Sequence, residues 1–337
     1  MQKRLKKFKP QPEAVAHHVT TRRDLEILDT AARFPLMTTS LFQSLIDGSP
    51  KGIAHRLQIL FHRKLLQRVP GTINEECIYY MDNLDALRLL AAHGMISPEA
   101  PEWDIVRNNQ KQNKPPSPLF VNHEIMIARF YATLALACRQ TNGRVQLAAW
   151  RQGPDLWDKV KLPKTRYENG EWYEEKGTET LPHRPDAFFT LRFVASSEDS
   201  QEMSFMYEAD RKTSDTTKMR KKLRAHFHYV VVQKKHREKY GVPRIRAVLI
   251  ETLDRQWAMQ LRECAQHPVV SGRPSPLFWF TPSEFIRVEE PASIFEPRWA
   301  SPVDKTLHAL LPLSVPFPPP AVLSTAPEPL EDLEIHY

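Results

Sequence analysis

The stretch RPDAFFTLRFVASSEDSQEMSFMYEADRKTSDTTKMRKKLRAHFHYVVVQ, residues 184–233, decides how the rest of this chain is read. It predicts a strand over residues 187–193, a polar turn, a second strand over 204–209 and a basic helix over 216–232. Side chains alternate along a strand, so Glu208 and Asp210 share one face and Tyr207 and Ala209 the other. Asp186 opens the neighbouring strand just after Pro185. Three carboxylates therefore gather at the ends of two strands. Such a group is costly without a cation in it, because like charges at short range raise each other's pKa. A hard divalent cation suits an all-oxygen site of this kind. The alternative is ordinary strand-end acids neutralised by Arg184, Arg211 and Lys212.

The chain has 337 residues, long enough for two cores, and a net charge of +7. A basic balance favours an anionic partner, nucleic acid first among them. The charge is clustered: Lys3, Arg4, Lys6, Lys7 and Lys9 lie at the N-terminus, and a second dense set covers residues 211–239. Residues 1–21 are expected as a basic flexible arm. Cys77, Cys138 and Cys264 are far apart, odd in number and without a CxxC pair, which argues against a disulfide framework or zinc site and for a reducing, cytoplasmic setting. Neither a signal peptide nor a stretch apolar enough to span a bilayer is found, so no membrane partner is expected. A P-loop, a GxGxxG and an HExxH are likewise missing.

Residues 22–95 read as a winged helix-turn-helix. RDLEILDTAARFPL forms a first helix, Thr38 or Thr39 caps a second, and Ser49–Pro50 start a third, PKGIAHRLQILFHRKLL. The third helix buries Ile53, Leu57 and Leu60 and shows a basic and amide face that includes His62. Short strands around GTINE form the wing, and a fourth helix stops at Gly94. The third helix of such an arrangement enters the DNA major groove. The candidate contacts are Lys51, His55, Arg56 and Gln58, with Arg63, Lys64 and Arg68 on phosphates. A winged helix used for protein contacts is the alternative.

Residues 96–118 are polar and proline-rich and read as a linker, with a short ordered piece at Trp103 to Val106. A helix over 122–140 follows, with Glu124 in its first turn, where it also suits a capping role. Next come the strand RVQLAAWRQG and a charged excursion hairpin, then residues 184–233. The continuously apolar RIRAVLIET predicts a buried crossover strand, followed by a helix and a last strand, PLFWFTP. The fold class is therefore α+β or α/β, with a mixed sheet over residues 119–290. Residues 291–337 lack a periodic apolar face and read as a proline-rich, acidic, disordered tail. His226 and His228, two apart on a helix, are expected to splay to different faces as surface or core residues rather than ligands.

Helix, three-stranded meander, helix, strand, with Asp after Pro and an acid in the next strand, resembles the PD-(D/E)xK nuclease-like superfamily. The resemblance implies Mg²⁺ (or Mn²⁺) held by Asp186 and Glu208, with Glu124 matching the superfamily's helix acid. The lysine of the pattern is replaced by Asp210; Lys212, or Lys218 or Lys222 from the helix, would have to substitute. The winged helix, the HE-initiated helix, PDAFF and YEADRKT also resemble the replication-relaxation family of plasmid and mobile-element proteins over residues 22–255. That resemblance implies double-stranded DNA binding in replication, mobilisation or DNA processing. Two readings follow. One is a metal-dependent endonuclease in which Asp186, Glu208, Asp210, Lys212 and Glu124 are catalytic. The other is a non-catalytic regulator, with no cofactor, that recruits a relaxase, a replication initiator or a transposition or defence partner through its C-terminal tail. A homodimer is a further expected assembly.

Overall fold

The computed structural model describes residues 6–71, 75–100, 102–104, 106–107, 117–194, 200–212 and 214–312. The fold is mixed α and β, as the alternation of periodicities predicts. In the N-terminal part, α1 (Arg22–Arg33), β1 (Met37–Thr38), α2 (Thr39–Leu45), α3 (Pro50–His62), β2 (Gln67–Arg68), β3 (Ile78–Tyr80) and α4 (Leu84–Ala92) surround one core. The caps are local. Thr21 and Asp24 form a reciprocal capping box on α1, Thr38 caps α2, and Ser49 caps α3 ahead of Pro50. Gly94 takes φ +69° just past α4, where a side chain would be strained, and Met95 N–H closes on Leu90 O at 3.0 Å. The strands pair antiparallel in the order β1-β3-β2. Of the expected wing turn, residues 72–74 lie outside the described residues.

The expected linker is short of independent. Val106 is buried in the N-terminal core, and α5 (Pro118–Gln140), capped by Ser117, contributes Ala128 and Ala132 to that core as well. The same helix covers the large sheet through Phe130 and Leu134. One helix thus serves two cores.

After α5 come β4 (Val145–Gln152), the hairpin β5 (Asp158–Glu168) and β6 (Glu171–His183), β7 (Ala187–Val194), β8 (Ser200–Asp210) and α6 (Thr216–Phe227). Helix α6 continues as one π-helical turn, His228–Val232. Then follow α7 (His236–Tyr240), β9 (Ile245–Thr252), α8 (Arg255–Gln266), β10 (Phe278–Pro282), β11 (Trp299–Ala300) and β12 (Leu307–His308). Among the described residues the main sheet has the order β12-β11-β10-β9-β8-β7-β4. Strands β8, β9 and β10 are parallel to one another and the other pairs antiparallel. Ala247 and Leu249 of β9 face α5, while Val248 and Ile250 face α6 and α8. Helices on both faces explain why this strand reads as unbroken apolar sequence.

Two expectations are corrected. Residues 291–311 are not a disordered tail: Ile294, Phe295, Trp299, Leu310 and Leu311 are buried against α5 and the sheet. Their apolar residues follow turns rather than a helix or long strand, so no period marks them. Residues 313–337 lie outside the described residues. Residues 6–20 are not a free arm either. They run across α3, burying Val15, with Gln11 N–H donating to His62 Nδ1 at 3.1 Å and Arg63 donating to Thr20 Oγ1 at 2.9 Å.

Candidate functional site

Asp186 precedes β7 and is fastened to the end of β8 twice: its N–H donates to Tyr207 O at 3.0 Å, and its Oδ2 accepts from Ala209 N–H at 2.8 Å. Glu208 lies one residue from Ala209 and is 2% exposed. The paired strand ends thus bring the two acids together, as the expected pairing of their strands implies. From one face of the sheet α5 adds His123, whose Nε2 meets Asp186 Oδ1 at 3.2 Å, and Glu124 beside them. From the other face α6 adds Lys222 and His226, four residues apart on one helical face. Lys222 forms an ion pair with Glu208 Oε2, and His226 Nε2 lies 2.7 Å from Glu208 Oε1. Behind it, His226 Nδ1 is 3.0 Å from His183 Nε2, and His183 stacks on Tyr229 at 3.7 Å.

Burial and mutual charge set the protonation pattern. Burial pushes Glu208 up to about 8; Lys222 opposes the rise and the charge of Asp186 adds to it. Burial likewise raises Glu124 to about 7, with His123 opposing and Asp186 adding. Asp186 goes the other way: burial would raise it, but the His123 hydrogen bond, Lys222 and the Ala209 N–H together hold it below its ordinary value. His226 is pushed down to about 3 by burial and by Lys222, so it stands neutral. Lys222 is raised because the charges of Glu208, Asp186 and Asp210 outweigh its own burial. Its side chain stays 39% exposed, so the cluster opens to solvent on the α6 side.

The other predicted acids and bases fall differently. Asp210 Oδ1 accepts from Trp257 Nε1 at 2.6 Å and from Lys212 N–H at 2.8 Å, an anchor for the strand end. Lys212 is not the partner of Glu208. It turns out of the strand at φ +56° and places its ammonium 5.4 Å from the Trp257 ring. The position two beyond Glu208 is structural, and the cation arrives from α6 instead. His123 and His183 escaped the sequence reading because each is a lone imidazole. The signals for them were adjacency, His123 beside Glu124 and His183 three residues before Asp186, and for Lys222 with His226 the spacing of four.

On α3, Lys51 and His55 are exposed and Gln58 is half-buried; just past it, Arg63 is half-buried and Lys64 exposed. Three residues read as exposed are corrected. Arg56 pairs with Asp24, whose side chain is fully buried, and also donates to Val19 O at 3.1 Å. Arg68 lies on the rings of Phe61 and Tyr79 and donates to the Tyr79 hydroxyl at 3.0 Å. His62 is fully buried. Helical periodicity places a side chain on a face; it does not say what the rest of the chain lays over that face.

Residues 28–245 match the family model for replication-relaxation. The chain belongs to the replication-relaxation family. Membership connects it with replication or relaxation of plasmids and mobile elements. No curated protein and no solved structure matches it. Among the described residues no helix is long and apolar enough to cross a membrane.

The donor set of this family member fits a hard divalent cation in kind. Glu124, Asp186 and Glu208 interact electrostatically, and Glu124 has no hydrogen-bond donor among the described residues. The acids are not gathered around a preformed point: no group of three His, Cys, Asp or Glu side chains among the described residues is placed to hold a metal. Both oxygens of Asp186 and both of Glu208 already face protein donors or cations.

Proposed function

We propose that this replication-relaxation protein binds double-stranded DNA and acts on it at the Asp186–Glu208–Lys222 site. The observation that carries the reading is Lys222. A lysine from the helix after β8 is paired with Glu208 and lies within electrostatic reach of Asp186, where the strand itself offers Asp210. Acid, acid and lysine at one sheet end supplies metal ligands and a positive charge, both of use to metal-assisted phosphodiester cleavage. Mg²⁺ or Mn²⁺ would be held by Asp186 and Glu208, with Glu124 beside them, and when bound would activate the attacking water. The chain's own groups do the rest. His123 keeps Asp186 ionised, His226 backed by His183 orients Glu208, and Lys222 holds a positive charge where the phosphate's negative charge develops.

Residues 22–95 are read as the winged-helix DNA-binding unit, with Lys51, His55 and Lys64 as its exposed contacts and Gln58 and Arg63 at the rim. Residues 119–290, extended to 311, form the PD-(D/E)xK-like unit under this reading. A second copy of the chain, or a protein docking on residues 313–337, completes the set of partners.

A second reading has its own support. Because the oxygens of Asp186 and Glu208 are engaged within the protein, the site can also serve as a closed charge network in a non-catalytic DNA-bound factor. Plasmid cleavage with Mg²⁺ or Mn²⁺ separates the two. Nicking by the wild type that disappears in EDTA and in Asp186→Ala, Glu208→Ala and Lys222→Ala establishes the nuclease. Intact DNA throughout, with gel-shift binding retained by all four proteins, establishes the scaffold.

A further inference from the structure

At the opposite end of the parallel strands the chain builds a second, differently charged feature. A cavity of about 400 Å³ lies where β9 and β10 begin. Lys234, Arg237, Arg244, Arg246 and Arg273 line it, together with His236, and among the described residues no Asp or Glu does. The cations come from the turn after α6 and the α7 that follows it, the entry to β9, and the loop before β10. Lys234, Arg237, Arg244 and Arg273 are exposed. None of the five forms an ion pair with a described residue. Other cations of this protein do, Arg56, Arg129, Lys222 and Arg224 among them.

Holding five like charges around one concavity is unfavourable in the free protein, since neighbouring cations within a Debye length repel. The crowding is felt locally: burial and then the charge of Arg244 lower Arg246, whose guanidinium rests 5.0 Å from the Trp279 ring. The backbone is also unusual. Lys234 sits at φ +52°, a conformation that residues with a Cβ rarely adopt, two residues after the π-helical turn. Val231, exposed, lines the cavity as well. An acid-free, arginine-rich concavity with apolar surface beside it matches a chain of phosphates carrying sugars and bases.

We infer that this cavity is a second nucleic-acid site, holding backbone phosphates of a DNA strand away from both α3 and the acid cluster. Ile245 pairs with Ser204 and Ile250 with Glu208, so the cavity lies roughly 13 Å from Glu208 along β8, at about 3.3 Å per residue. The inference rests on the DNA-binding reading above and adds a contact surface to it.

The test is the salt dependence of binding of the full chain to a labelled duplex and to its single strand. Each phosphate contact contributes about 0.9 to the slope of log affinity against log salt on duplex and about 0.7 on a single strand. The triple variant Arg237→Ala/Arg244→Ala/Arg273→Ala should flatten the duplex slope by about 2 to 3 and weaken binding at least tenfold near physiological salt. The single variants Arg244→Gln and Arg273→Gln should each flatten it by about 0.9. Full wild-type affinity and slope in the triple variant would overturn the cavity site while leaving DNA binding elsewhere in place. Absence of binding by the wild type would overturn the DNA reading and the cavity site with it. Vesicles containing phosphatidylserine provide the competing arm: capture that the triple variant abolishes, with its DNA binding unchanged, would reassign the cavity to an anionic membrane surface.

Discussion

The two ends of the parallel strands hold charge in opposite ways. At the carboxyl end of β8, Glu208 is buried and Asp186 half-buried, and each faces a cation or imidazole supplied by a helix. At the amino ends of β9 and β10, five cations line a cavity with no acid among them. A buried charge needs a partner inside the protein, because an unpaired one would lose its hydration with nothing in return. An exposed cation keeps its water and can await a partner from outside. The first arrangement is internally complete, the second complementary to something else. The same contrast recurs on α3, where Arg56 is spent on buried Asp24 and Lys51 is not.

Substitutions at the paired end should have the largest effects. If the acid site cleaves DNA, Lys222→Ala should lower the rate by about 10² to 10³, the usual loss when one positioned electrostatic group is removed, and Lys222→Arg should restore part of it. Supercoiled-plasmid nicking reads both. Arg129→Ala strands the Glu251 carboxylate, fully buried between Arg129 and the Tyr207 hydroxyl, and should destabilise the fold by about 3 kcal/mol in urea denaturation. Arg56→Ala should cost about 2 kcal/mol by the same logic at Asp24. Lys51→Ala should fall within about 0.5 kcal/mol of wild type and act on DNA affinity instead. Equal destabilisation by Arg56→Ala and Lys51→Ala would erase the distinction between paired and free cations.

The pH dependence gives a smaller and more specific contrast. Glu208 binds its proton more tightly in the folded chain, up to about 8, than in the unfolded chain. Its contribution is therefore fully present below the ordinary carboxyl range and is lost as pH rises through about 8, at no more than about 1.4 kcal/mol per pH unit. Glu208→Gln keeps a neutral side chain of the same shape and should gain stability relative to wild type between pH 5 and 8. Urea midpoints across that range will show whether the difference grows with pH; a flat difference would mean that Lys222 keeps Glu208 ionised throughout. The smallest expected effect is at the basic end. Arg244→Gln and Arg273→Gln should leave the urea midpoint almost unchanged, within about 0.5 kcal/mol, while altering DNA binding.

Much of this protein was legible in its residues. The strand alternation around Phe188, Phe205 and Tyr207, the caps at Ser49 and Thr38, and the apolar run of β9 are local or period-based signals. They survive because the backbone geometry behind them depends only on neighbouring residues. The convergence of Asp186 with Glu208 was legible for the same reason, since adjacent strands of one meander place their ends together. Residues 291–311 were not legible: their apolar side chains are scattered over turns, and only the finished sheet and α5 give them a surface to cover.

Sequence alone thus determined the fold class, the order of the elements and the pair of acids at the strand ends. Only tertiary structure decided which cation meets those acids, that Asp210 and Lys212 serve Trp257 instead, that residues 6–20 lie over α3, and that Arg273 joins the cations of residues 234–246 in one cavity. The physical reason is range. Hydrogen-bonded periodicity acts between residues a few positions apart and is written in their spacing. Charge pairing and occlusion act through space between groups on separate elements, and spacing within one element does not record which group meets which.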